Sequence, residues 1–358
     1  SSRGAGPASA LLAILTASQA LLGYPQYLWF SLLAETLYAA FLLSPGVFKR
    51  AAWLVAAKLT GLVIAAVQLL PTLDVLRDST RVDATAAFKY FFSLKLLTIS
   101  QLFAPYLLSD DAIQSSPQEF GIYSGAVAPV LLILLVVNLR RLGAKRKLAV
   151  MALVLLAVSI DLALGDNGLL GGVIGNVPIV GLFRAPARYF ALAQLALSIV
   201  AALAFELVSD AIETRLPLSW KGLGLLILAP AAAAMAVWYA GWSPGRTGQA
   251  ADEYCVYAAS DLAVLAGPIL VLLTALLVVA AARCVRLAAA ALIVLAALDL
   301  AFYGLSYFRS APVTKIESLA ASTALLPESG PYRMASASTA SDVWLLSDAR
   351  LLYGYAAL

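Results

Sequence analysis

The sequence predicts an all-α membrane protein, and three observations lead to that prediction. Hydrophobic residues make up 62% of the 358 residues and charged residues only 12%, a balance far from that of soluble domains. The apolar residues are gathered into about nine segments close to the length that a helix needs to cross a bilayer. Basic residues occupy alternate connections between these segments, as the positive-inside rule requires. We therefore expect a polytopic helical membrane protein with about nine transmembrane helices.

The basic residues assign a side of the membrane to each connection. The expected spans are 8–23, 27–45, 51–71, 123–139, 148–165, 187–208, 222–240, 261–281 and 287–306. The strongest basic run, 140–147, falls between the fourth and fifth spans and is assigned to the cytoplasm. This assignment puts four regions on the outer side: the turn at Tyr24, the long loop 72–122, the loop 166–186 and the segment 307–358. The expected domains are a transmembrane domain over 1–306 and the start of a soluble outer segment over 307–358.

Composition excludes several kinds of functional site. The chain has no histidine and only two cysteines, so the commonest general base and zinc ligand is missing. Cys255 and Cys284 are expected on opposite sides of the membrane and should not pair. No P-loop, dinucleotide-binding fingerprint or nucleophile elbow occurs in the sequence. The net charge of +4 is accounted for by the cytoplasmic connections, so no nucleic-acid partner is expected.

The long outer loop 72–122 is the most plausible place for chemistry. Its apolar stretch 84–103 predicts an interfacial helix, since one helical face would hold Phe88, Phe91, Phe92, Leu96, Ile99 and Phe103. An ordinary capping helix is the open alternative. Asp110 and Asp111 are adjacent carboxylates that could hold a divalent metal ion, although such pairs in a polar loop are usually just hydrated. A divalent metal is the only cofactor that the sequence leaves open.

Two ionisable residues lie within consecutive predicted spans. Glu35 and Lys58 are each about eight residues from opposite ends of antiparallel helices. Their depths are close enough for the long lysine to reach the carboxylate. Because an unpaired charge inside a membrane is costly, we expect a structural ion pair, with inward snorkelling of Lys58 as the alternative.

Two arginines flank the predicted start of the sixth span. In the stretch 183–188, Phe-Arg-Ala-Pro-Ala-Arg, Pro186 fits the first turn of a helix because its missing N–H costs nothing there. Arg184 and Arg188 then lie beside free backbone N–H groups that already favour an anion. At a membrane surface, that anion would be a phosphate. The alternative is that both side chains snorkel to lipid headgroups without a specific ligand.

Several short motifs resemble those of the bacterial YfhO-like membrane proteins. Gly23-Tyr24-Pro25-Gln26-Tyr27 is similar to the family's Gly-His-Pro-Gln signature, with tyrosine in place of histidine. Further matches, in chain order, are QLLPTLDVLRDSTR at 68–81, Tyr-Ser-Gly at 123–125, the stretch 178–188, Leu-Asp-Leu at 298–300 with Pro312 beyond it, and Gly-Tyr at 354–355. The resemblance covers nearly the whole chain.

The resemblance implies a GT-C-type glycosyltransferase in a bacterial inner (plasma) membrane. Such an enzyme would take a sugar from a polyprenyl-phosphate carrier and transfer it to a cell-envelope glycan on the outer face. Family members place an acidic residue in the first outer loop, as a base or to hold the acceptor. We expect that loop to precede Ser1, so that this chain is an excerpt covering the middle and later spans.

The resemblance also suggests roles for individual residues. Arg184 and Arg188, with Arg77 or Arg81 from the long loop, would bind the carrier phosphate. Asp74 is the best visible candidate for the catalytic acid or base, against the alternative of an ion pair with Arg77 or Arg81. The matching motifs make three further residues the expected substrate-binding residues: Tyr24, Gln26 and Tyr123.

A transporter or flippase of lipid-linked sugars is the competing class. Transporters are typically built from two related halves with broken helices. The sequence shows no internal repeat, and its charges gather in the outer loops. These observations favour the transferase.

Overall fold

Helices form all the regular structure in the described part of the chain. The computed structural model describes residues 5–42, 47–77, 85–105, 120–215, 224, 263–283 and 285–306. The α-helices are α1 (Ala5–Leu21), α2 (Pro25–Leu42), α3 (Val47–Ile64), α4 (Ala66–Arg77), α5 (Ala86–Lys89), α6 (Val127–Val137), α7 (Arg146–Ala163), α8 (Gly171–Ile174), α9 (Phe190–Thr214), α10 (Ala263–Ala282) and α11 (Arg286–Ser306). Short 3-10 helices cover Leu96–Leu102, Leu139–Lys145, Gly165–Asn167, Val180–Leu182 and Pro186–Tyr189. The all-α prediction is confirmed for these residues.

The number of helices able to cross a membrane is smaller than predicted. Helices lie at eight of the nine expected segments, and 222–240 lies outside the described residues apart from Gly224. Only Pro186–Thr214 and Arg286–Gly304 are long and apolar enough by themselves to span a bilayer. Two bent helix pairs raise the number to four if each pair counts as one span. The estimate of nine is therefore too high for the described residues, because several apolar segments end early or bend.

The first bend lies inside one expected span, 51–71, and the second lies between two expected spans, 123–139 and 148–165. Ala51–Ile64 and Ala66–Arg77 meet at 72°, with the fully buried Ala65 at the break. Val127–Val137 and Leu139–Ala163 meet at 89°. Each bend shortens the straight apolar rod that could cross a bilayer.

Helix α9 packs at the centre of the described bundle, against α6, α7 and α10. Its buried face recurs every three or four residues, as expected of one side of a helix, and includes Phe190, Ala193, Leu197, Val200, Ala204, Leu207 and Ala211. The alanines on this face let the neighbouring helices approach closely. Near its far end, Glu206 pairs with Lys145, which precedes α7. This contact brings the start of α7 next to the second half of α9, as in an antiparallel pair of helices.

The N-terminal helices are joined by close packing and by the predicted ion pair. A Cβ at Gly61 in α3 would lie 2.6 Å from the Ala13 carbonyl oxygen in α1, so only glycine allows this approach. Lys58 Nζ lies 2.8 Å from Glu35 Oε1 and 2.6 Å from Oε2. Lys58 is only 8% exposed. The pairing of Glu35 with Lys58 is confirmed.

The predicted interfacial helix over 84–103 is wrong. The chain forms one turn of α-helix at Ala86–Lys89, leaves helical geometry, and resumes as a 3-10 helix at Leu96–Leu102. Phe92 has a φ of 64°, in the left-handed region that interrupts any right-handed helix. The Leu94 N–H instead donates to the Ala163 carbonyl oxygen at 2.9 Å. This tertiary hydrogen bond draws the segment onto the end of α7 and buries Leu94 completely.

The glycine-rich segment after α7 folds back on itself tightly. A Cβ at Gly171 would overlap the Gly165 carbonyl oxygen, and one at Gly181 would overlap the Gly175 carbonyl oxygen. Asp161 anchors the segment by accepting hydrogen bonds from the Leu169 and Leu170 N–H groups at 2.8 and 2.7 Å. This segment leads directly into the start of α9.

The chain divides into two compact units, 1–301 and 302–358. Of the second unit, the structure describes 302–306, the last residues of α11. The predicted outer segment 307–358 lies outside the described residues.

Candidate functional site

The start of α9 is built as the sequence predicts. Pro186 occupies the first turn of the 3-10 helix Pro186–Tyr189, which continues into α9. Ala185, just before it, has a φ of 62° and is fully buried. A left-handed alanine is uncommon and costs energy. The turn therefore depends on surrounding contacts to hold it in place.

The segment around Phe91 and Phe92 supplies those contacts. The Ala185 N–H donates to the Phe91 carbonyl oxygen at 3.1 Å, and the Ala187 N–H donates to that of Phe92 at 3.0 Å. Phe92 is itself left-handed, so two strained turns are tied to each other by main-chain hydrogen bonds. The position of Arg184 and Arg188 relative to this aromatic segment is thereby fixed.

Tyr24 and Gln26 join the arginine motif from a distant part of the sequence. The Arg188 guanidinium donates to the Tyr24 hydroxyl and lies 5.6 Å from the centre of the Tyr24 ring. The Tyr24 hydroxyl donates to Gln26 Oε1 at 3.2 Å, and Gln26 Nε2 donates to the Arg184 carbonyl oxygen at 3.3 Å. Gln26 is buried. Four of the predicted site residues therefore form one cluster, which we call the arginine site: Tyr24, Gln26, Arg184 and Arg188.

The Arg184 side chain lies against two aromatic rings. Its Cζ is 5.8 Å from the centre of the Phe88 ring and 5.9 Å from that of Phe91. Such contacts attract a cation while leaving its N–H groups available. In the part of the chain that the structure describes, no carboxylate or carbonyl group accepts a hydrogen bond from the Arg184 guanidinium. This side chain is held in position but retains its hydrogen-bonding capacity.

Helix α2 also contacts Tyr189, the residue that follows Arg188. Trp29 Nε1 donates to the Tyr189 hydroxyl at 2.7 Å. The Phe30 ring lies 4.7 Å from the Tyr189 ring, measured between centres. Because Tyr189 directly follows Arg188, these contacts couple the start of α2 to the start of α9.

Asp74 and Arg77 are not part of this cluster. Both are exposed on α4, where they line an open cavity of about 500 Å³ with Leu70, Pro71 and Leu73. Among the described residues, neither side chain makes an ion pair or joins the arginine site. Arg81 lies outside the described residues. The alternative of an Asp74–Arg77 ion pair is therefore not present among the described residues, and a pairing of Asp74 with Arg81 falls outside them.

Tyr123, which was expected to bind substrate, is hydrogen-bonded to a carboxylate within the chain. Its hydroxyl lies 2.9 and 2.8 Å from the two carboxylate oxygens of Asp299, and the Ala126 N–H donates to Asp299 Oδ2 at 2.8 Å. Tyr123 and Asp299 are both buried. Gly125, with a φ of 81°, allows this approach because a Cβ there would meet the Leu300 side chain at 3.3 Å. These contacts join the segment before α6 to α11.

The roles of Phe88 and Phe91 as partners of Arg184 were not predicted from the sequence. Both residues were expected on the apolar face of an interfacial helix that does not form. The usable signal was the density of aromatic residues close to a cationic motif, but the sequence does not reveal that the two segments meet.

The described residues contain no group of three or more histidine, cysteine, aspartate or glutamate side chains able to hold a metal ion. Asp110 and Asp111, the candidate metal pair, lie outside the described residues.

Comparison of the chain with models of protein families, with curated proteins and with solved structures found no match. The resemblance to YfhO-like proteins stays a prediction that rests on the quoted motifs.

Proposed function

We propose that this protein is a bacterial membrane glycosyltransferase of the GT-C type. In this proposal it takes a sugar from a polyprenyl-phosphate carrier on the outer face of the plasma membrane and transfers it to a cell-envelope glycan. The arginine site binds the carrier phosphate. Asp74 is the visible candidate for the catalytic acid or base.

The observation that carries the proposal is the arrangement of Arg184. Its guanidinium lies within cation–π distance of the Phe88 and Phe91 rings, yet its donors have no acceptor among the described residues. A planar fork of free N–H donors suits a phosphate, which accepts two parallel hydrogen bonds. The site also lies at the start of Pro186–Thr214, a helix apolar enough to cross a bilayer. A phosphate on a lipid chain fits this position.

The cluster around Arg184 supports the proposal further. Tyr24 and Gln26 come from one motif of the resemblance, and Arg184 and Arg188 from another, separated by about 160 residues in the chain. Gln26 holds the Arg184 backbone and Tyr24 holds the Arg188 guanidinium. Tyrosine at position 24 provides a hydroxyl acceptor for the arginine where an imidazole would occur in the family. The role of Tyr24 in this proposal is to position Arg188.

The described bends favour one alternative function, transport of a lipid-linked sugar. Broken helices are typical of transporters, and two helix pairs here bend by 72° and 89°. A flippase would need the same grip on a phosphate but would transfer no sugar. The two functions therefore share the arginine site and differ in the product.

The deciding experiment follows both products at once. The full-length protein, as its cells produce it, is placed in sealed lipid vesicles with a radiolabelled polyprenyl-phosphate sugar and cell-envelope glycan from the same cells. The proposal predicts label on the glycan, lost in Arg184→Gln and retained in Arg140→Gln, which changes an exposed arginine elsewhere. Movement of the labelled lipid across the bilayer without transfer to the glycan would contradict the transferase and support the flippase.

A further inference from the structure

A second open cavity lies beside the arginine site and has a mixed polar and aromatic lining. It has a volume of about 430 Å³, within the range of small-molecule sites, roughly 300–1,000 Å³. Its walls include Tyr90, Phe91, Phe120, Lys95, Asp166 and Asn167. We call it the polar pocket. It shares no residue with the cavity around Asp74 and Arg77.

The chemistry of the polar pocket suits a sugar. A sugar ring has apolar C–H faces that pack on aromatic rings, and hydroxyl groups that both donate and accept hydrogen bonds. Phe91 provides exposed aromatic surface, and Asp166 provides an exposed carboxylate that accepts from hydroxyl groups. Asn167 Nδ2 donates to the Leu94 carbonyl oxygen at 3.2 Å, which fixes the orientation of the Asn167 amide.

The wall of the polar pocket is rigid. Ser93 Oγ donates to the Tyr90 carbonyl oxygen at 2.7 Å, and the Leu94 N–H donates to Ala163. Gly165, next to Asp166, has a φ of 57° and packs so closely on Ser93 that a Cβ there would overlap the serine side chain. A pocket with its walls already in place loses little entropy on binding.

Phe91 connects the polar pocket to the arginine site. Phe91 lines the pocket, and the centre of its ring lies 5.9 Å from Arg184 Cζ. In a phosphate-linked sugar, a single oxygen joins the two groups. A phosphate on Arg184 would therefore carry its sugar next to the polar pocket.

We propose that the polar pocket binds the sugar of the lipid-linked donor, with Phe91 packing on the sugar ring and Asp166 accepting from its hydroxyl groups. This inference rests on the proposed function, because the phosphate of that donor is the ligand assigned to Arg184. It adds the pocket that distinguishes one donor sugar from another.

The test compares lipid phosphates with and without a sugar. The probes are farnesyl phosphate and farnesyl phosphates bearing glucose, galactose or mannose. For each sugar, the readout is the ratio of the dissociation constant of farnesyl phosphate to that of the sugar-bearing probe, measured on the full chain. At least one sugar should improve binding by about tenfold, and Asp166→Asn should remove that gain. A general effect of the lost charge would shift both constants equally and leave the ratio unchanged. The control is Asp210→Asn, which changes an exposed carboxylate on α9.

Failure of this inference is distinguishable from failure of the proposed function. If no sugar improves binding, or if the gain survives Asp166→Asn, the polar pocket is not the sugar site. If farnesyl phosphate itself binds equally well to Arg184→Gln, the proposed phosphate site fails instead. In that case the same sugars are tested as methyl glycosides, and binding that is insensitive to Asp166→Asn would overturn the pocket as well.

Discussion

Arg184 and Arg188 lie four residues apart, yet their guanidinium groups have different surroundings. Arg188 donates to the Tyr24 hydroxyl, so part of its hydrogen-bonding capacity is used within the protein. The Arg184 guanidinium lies near the Phe88 and Phe91 rings and has no hydrogen-bond acceptor among the described residues. From the sequence, both arginines were predicted to bind phosphate in the same way. The spacing of residues does not reveal which of the two side chains meets a tyrosine from a distant segment. Their expected contributions now differ: Arg184 should serve binding, and Arg188 both binding and local structure.

The Glu35–Lys58 pair provides a prediction at the same scale. Removing one charge leaves the other uncompensated in an apolar environment, so Glu35→Gln should lower the free energy of unfolding by about 2–4 kcal/mol. The double variant Glu35→Gln with Lys58→Met should recover most of that loss, since no charge is then left unpaired. The measurement is chemical unfolding in detergent micelles. Equal losses in the single and double variants would show that the pair does not act as a unit.

At the scale of elements, the segment 85–105 shows where sequence reasoning fails. The apolar spacing of this segment suits a helix, and no residue before Pro105 forbids one. The helix is lost because the Leu94 N–H bonds to Ala163, while the Phe91 and Phe92 carbonyl oxygens bond to the loop before α9. Such contacts depend on chain segments about 70 to 95 residues away and leave no local signal. By contrast, the helical turn that begins at Pro186 and leads into α9 was predictable, because the proline ring itself fixes φ at a value that suits the first turn of a helix.

The tight packing around Gly165 gives a prediction for this element. Gly165→Ala should lower stability by about 2–4 kcal/mol, since the added Cβ would collide with Ser93 and occupy a left-handed position. Gly172→Ala, in the same glycine-rich segment, should be nearly neutral because no atom lies within 4 Å of the added Cβ. Thermal unfolding of the two purified variants checks both. Similar melting temperatures for the two would contradict the packing described.

At the scale of the whole molecule, the contacts agree with the predicted arrangement of helix ends. Tyr24, Arg184 and the segment around Phe91 were all expected on the outer side, and they meet in one place. Lys145, in the run 140–147 that was expected in the cytoplasm, pairs with Glu206 in the second half of α9, far from the arginine site along that helix. The sidedness itself stays a prediction. The positions of the helices could be predicted from the apolar segments, because apolar residues must be buried in lipid or protein. The number of membrane-spanning helices was overestimated, because apolar segments do not reveal where a helix bends.

The most direct test of the account is the affinity of the full chain in lipid nanodiscs for farnesyl phosphate. Arg184→Gln should weaken binding by roughly 10- to 150-fold, because a charge-assisted hydrogen bond is lost. Arg184→Lys should recover only part, since lysine keeps the charge but lacks the planar fork. Arg140→Gln, at an exposed position, should bind as the unaltered chain does. Unchanged affinity in Arg184→Gln would contradict the phosphate site and leave the arginines as contacts to lipid headgroups.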